Sequence, residues 1–66
     1  MNLNVGSFVY ASKRMLSPNS IRIEKNDVLL VLNEDGNFRS VYKMLHQSGA
    51  CILVHADNIS IEYHED

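Results

Sequence analysis

The chain has 66 residues, of which 45% are hydrophobic, 21% charged and 8% aromatic. That balance describes one domain over 1–66, because disorder needs lower hydrophobicity, and a chain this short hides only about 60% of its unfolded surface in a thin core. Six Lys and Arg against eight Asp and Glu give a formal net charge of -2, which argues against a protein that lives by a basic, counterion-displacing surface on DNA or RNA.

Met1 to Ser7 carries neither the positive charge nor the apolar run of a secretory signal. No stretch approaches the roughly 20 apolar residues that span a bilayer. Cys51 is the only cysteine, so no internal disulfide forms and a reducing cytoplasm is expected. In the run Ala50-Cys51-Ile52-Leu53-Val54 its expected role is a small core residue. One Cys and three His do not supply the paired spacing of a structural metal site, so no metal and no cofactor are expected.

Strand-like runs bounded by turn residues dominate the chain. Ser7 to Ala11 is the first, followed by a polar, irregular stretch from Ser12 to Ser20 that holds the single proline, Pro18. Ile21-Arg22-Ile23 alternates at the strand period of two. Glu24-Lys25-Asn26-Asp27 is a tight turn, since Asn tolerates positive φ and Asp accepts from nearby amides. Val28 to Leu32 is an apolar strand and Asn33 to Asn37 a loop.

Two periods compete over Phe38 to Gln47. Phe38, Val41, Tyr42 and Leu45 fall on one helical face, which predicts a helix at 38–47 and an α+β fold. Phe38, Val41 and Tyr42 favour a strand instead. Ala50 to His55 is a further strand, Ala56-Asp57-Asn58 a short turn, and Ile59 to Tyr63 an alternating last strand.

Ile21 to Leu32, with its polar Asn26-Asp27 pair before an apolar strand, resembles the diverging turn of a Src-homology-3 (SH3) barrel. Phe8-Val9-Tyr10 is similar to the opening of that family's Ala-Leu-Tyr-Asp-Tyr motif, and Ala56-Asp57-Asn58-Ile59 to its Pro-Ser-Asn-Tyr segment. The resemblance runs from about residue 5 to 63. It implies an all-β, small five-stranded SH3-like barrel with a short 3-10 turn before the last strand, and it favours a strand at 38–47. The family's peptide groove does not carry over. Ser12 stands where the motif has its second Tyr, Ala56 and Ile59 replace the Pro and final Tyr, and the chain has no Trp. Only Tyr10 and Asn58 match, so Pro-rich peptides are not the expected ligand. Val41-Tyr42-Lys43-Met44-Leu45 and Gly49 to Val54 also resemble small SH3-like proteins of tailed bacteriophages, which implies a protein that binds and modulates a host protein.

No converging acids, Gly-rich phosphate loop or nucleophile elbow is present, so no enzyme is expected. Glu24 and Asp27 are expected as solvent-facing turn acids. The expected function is binding another protein. Met15 and Leu16 form an apolar pair between Lys13-Arg14 and Ser17-Pro18-Asn19, a setting that suits a protein contact outside the core. Tyr10, Lys13, Arg14, Met15, Leu16 and Asn58 are therefore the candidate partner-binding residues, beside the loop Asn33 to Asn37. A nucleic-acid surface built from Lys13, Arg14, Arg39 and Lys43 with Tyr42 is the second reading. A homodimer paired through an edge strand is the third.

Overall fold

The computed structural model describes residues 3–17, 20–63 and 65. Its strands are β1 (Phe8–Ala11), β2 (Met15–Leu16), β3 (Arg22–Ile23), β4 (Val28–Glu34), β5 (Val41–His46), β6 (Cys51–His55) and β7 (Ile59–Ser60), with a 3-10 turn at Ala56–Asn58 before β7. The five-stranded antiparallel sheet runs β6-β5-β4-β1-β7, and β2 with β3 forms a separate two-stranded ribbon. The sheet curls into an all-β half-barrel, compatible with an SH3-like barrel.

Alternation decides which side chains face inward. Val31, Met44 and Ile52 stand in one cross-strand row, and Tyr42 sits opposite Val54 in the next. All five are buried, with Val31 and Met44 wholly so. Val9 and Leu29 pair beside them, and Ala11 pairs with Ile59. The ribbon adds its own inward row to the core, in which Met15 is paired with the fully buried Ile23 and packs against the core cluster.

The 38–47 segment is a strand, not a helix. β5 begins only at Val41, because Ser40 takes a left-handed backbone with φ 63° and the Asp35 N–H donates to the Val41 carbonyl at 2.7 Å. Strand β4 runs past the expected Leu32 to Glu34, across a register shift between Val31 and Asn33. A bulge of this kind inserts one residue and bends the strand. Asn26 has φ 71°, and the Asp27 carboxylate accepts from the Glu24 N–H at 2.9 Å, as the turn reading requires.

Three expectations are corrected. Cys51 is exposed rather than buried. In a run as uniformly apolar as 50–54 the sequence leaves the alternation undecided, and pairing with β5 turns Ile52 and Val54 inward. The last strand stops at Ser60 instead of Tyr63. There the Ser60 hydroxyl donates to the Glu62 carbonyl at 2.6 Å and accepts from the Glu62 N–H at 3.1 Å, closing a local bend that competes with the ladder. Finally, the stretch after Ser12 is not irregular throughout, since Met15 and Leu16 form a strand. Pro18 and Asn19 lie outside the described residues.

Candidate functional site

The β2–β3 ribbon is short, and its register separates a core side from an outer side. Met15 and Ile23 face inward, while Leu16 is paired with Arg22 on the other side. Leu16 is 69% exposed. The turn beyond is pinned by Ser17, which is itself buried. Its N–H donates to the Ile21 carbonyl at 3.0 Å and its hydroxyl accepts from the Ile21 N–H at 3.0 Å. Ser20 reverses the chain with φ 65°. The ribbon is therefore fastened at its turn end and displays Leu16 beside that turn.

Arg14, Met15, Leu16 and Arg22 line an open groove of about 450 Å³. Of the six residues expected to bind a partner, the structure thus brings three together: Arg14, Met15 and Leu16. Met15 has a divided role, because it is half-buried and packs on the core, which corrects the expectation that this segment lies wholly outside it. Lys13 is exposed one residue before the groove. Tyr10 and Asn58 belong to a different neighbourhood, around β1 and β7. Tyr10 pairs with Ser60 and packs edge-on against Tyr63, ring centroids 5.7 Å apart. The Asn58 carbonyl accepts from the Ser12 N–H at 2.9 Å. Arg22 is the groove residue that sequence reasoning missed. Its signal was the Ile21-Arg22-Ile23 alternation, which already put the arginine on the face opposite the core.

The residues of the nucleic-acid reading are spread apart. Arg39 lines a separate groove of about 370 Å³ with Glu34, Asp35 and Phe38. Lys43 points outward from the middle of β5, and Tyr42 is buried, so its ring is not offered for stacking.

A second cluster joins the diverging turn to the β5–β6 hairpin. Buried His46 places Nε2 2.8 Å from Asp27 Oδ2 and Nδ1 2.8 Å from Ser48 Oγ. The Ser48 N–H also points at Nδ1, at 3.3 Å, so Nδ1 accepts and Nε2 carries the proton donated to Asp27. Asp27 is thus a partner of the buried ring and only 18% exposed, not the solvent-facing acid expected. The order Ser, His, Asp is that of an activated nucleophile, but the donors that would stabilise an oxyanion are occupied. The Ser48 N–H is on the ring, the Gly49 N–H on the His46 carbonyl at 2.8 Å, and the Ala50 N–H on Ser48 Oγ at 3.4 Å. Neither groove described above is lined by these residues. The arrangement fastens two turns together, helped by Gln47, which accepts from and donates to Val28 at 2.7 and 3.1 Å.

Among the described residues, no three His, Cys, Asp or Glu side chains are grouped to hold a metal ion, and no helix is long and apolar enough to cross a membrane. No protein-family model, curated protein or solved structure matches the chain.

Proposed function

We propose that this protein is a non-catalytic binding module, an SH3-like barrel without the family's peptide groove, that holds another protein through its β2–β3 ribbon. The observation that carries this reading is the setting of Leu16: Val5, Phe8, Phe38 and Ile61 are comparably exposed, but Leu16, at 69%, shares a groove with Arg14 and Arg22 on the outer side of the ribbon. A domain with so little apolar material gains by burying each leucine, and an exposed apolar residue ringed by arginine has the composition of a binding hot spot. A host protein as partner and a cytoplasmic setting belong to the same proposal; their support is the sequence resemblance of residues 41–45 and 49–54 to small bacteriophage proteins and the lone cysteine.

The test is capture from a cell lysate with three immobilised proteins: the parent, Arg14→Glu with Leu16→Ser, and Leu53→Ser as a control on the outer face of β6. A protein held by the parent and the control but lost from the double variant supports the ribbon. The same proteins on all three exclude it.

Self-association is the second reading, favoured by β6. It is a sheet edge with an unbroken five-residue register to β5 and no charge or proline to discourage a further strand. Sedimentation over a range of concentrations tests it. A single monomeric species throughout removes it.

A further inference from the structure

We infer that the Arg14–Leu16–Arg22 groove takes an acidic peptide segment that presents an apolar side chain beside carboxylates. The inference rests on the proposed ribbon site and adds the chemistry of the partner. Among the described residues, neither arginine has a carboxylate within salt-bridge distance, although acids outnumber cations in the chain as a whole. Among the described residues no acid lines this groove, whereas the other open groove, at 34–39, includes Glu34 and Asp35 beside Arg39. The groove lining is therefore cationic on an acidic molecule; Glu24, two residues on from Arg22 and one rung beyond the ladder opposite Arg14, is the nearest acid in sequence and makes no salt bridge with either arginine.

Arg14 and Leu16 are two residues apart and Arg22 lies directly across from Leu16, so alternation sets all three on the outer side of the ribbon. Guanidinium groups bind carboxylates through paired N–H donors, and exposed, salt-screened pairs alone contribute little. The apolar centre is what makes the site selective, because Leu16 gains from an apolar side chain and nothing from a phosphate. Nucleic acid fits less well. A phosphate backbone is held by many cations in a stripe, and here the two arginines have only Lys13 adjoining and Lys25 in the turn after β3, with Arg39 and Lys43 elsewhere.

The experiment titrates the labelled, intact protein with four probes and follows its backbone amide resonances. The probes are a short peptide with a central Leu flanked by Asp and Glu, the same peptide with Lys for the acids, the acidic peptide with Ser for Leu, and a single-stranded oligonucleotide. The inference predicts that only the acidic Leu peptide shifts Arg14, Leu16 and Arg22. Arg14→Glu and Arg22→Glu should each weaken it by about tenfold, the size of one lost charge-assisted contact. The Arg14→Glu, Arg22→Glu double variant, folded by its unchanged spectrum elsewhere, should instead prefer the Lys peptide. Equal binding of the acidic and Lys peptides, or stronger binding of the oligonucleotide, overturns the inference. So does the absence of any shift with the acidic Leu peptide. If the lysate partner is still lost in the Arg14→Glu, Leu16→Ser protein, the ribbon remains the binding site and only the acidic chemistry is wrong.

Discussion

Replacing Asp27 by alanine tests how the two turns are held. The Asp27 carboxylate accepts from His46 Nε2 at 2.8 Å and from the Glu24 N–H at 2.9 Å. The Glu24 amide is exposed and turns to water when the carboxylate is lost, at small cost. His46 is different, being 6% exposed. Among the described residues no buried side-chain nitrogen or oxygen lacks a partner, and Asp27→Ala creates one. An orphaned buried donor costs about 1–3 kcal/mol, which makes about 2 kcal/mol the expected loss. A domain of this size has only about 3–10 kcal/mol in total, and each kcal/mol moves its melting temperature by about 4–8 °C. Asp27→Asn keeps an acceptor for the ring and should cost roughly half as much. Ser48→Ala leaves the Ser48 N–H on Nδ1 and should cost about 0.5–1 kcal/mol. The chain has no tryptophan, so far-UV circular dichroism in urea is the suitable assay. If Asp27→Ala unfolds within 0.5 kcal/mol of the parent, about the scatter of an uneventful surface change, the relay does not hold the corner together.

Three further outcomes follow from burial and backbone geometry. Met44→Ala removes a fully buried side chain from the middle of the sheet and should cost about 2–5 kcal/mol by urea denaturation. Asn26→Ala trades a residue whose short polar side chain suits the left-handed turn at φ 71° for one that does not, and should cost about 1 kcal/mol by the same assay. Cys51 should be alkylated in the native protein at the rate of an exposed thiol, without a denaturant step, and mass spectrometry of a timed reaction reads this directly.

The fold was legible where the sequence alternates or carries a turn with its own chemistry. Ile21-Arg22-Ile23 and the Asn26-Asp27 turn fall where local preference and tertiary pairing agree. At Phe38 to Gln47 a helical and a strand pattern coincide, and only the partners β4 and β6 decide between them. Cys51 was misplaced because a run of five apolar residues has no polar position to mark the outward face. The relay at His46 was invisible for another reason: its members lie 19 and 2 residues from the ring, and Asp27 meets His46 only through the β4–β5 register. Of the candidate site, the Arg14 to Leu16 core was legible as apolar residues among cations. Arg22 joins it across the ribbon, a pairing that no linear pattern contains, and Tyr10 and Asn58, which enter through the family resemblance, lie around β1 and β7.

Leu16→Ser, measured for stability and for partner capture on the same preparation, tests most directly whether the ribbon is a binding surface. Exposure of 69% predicts that the unfolding free energy changes by about 1 kcal/mol or less, while capture of the lysate partner falls away. Met15→Ser, on the inward side, should show a clear loss of stability. A cost near 3 kcal/mol for Leu16→Ser, the size of a core truncation, or undiminished capture by a stable Leu16→Ser protein, would contradict the account.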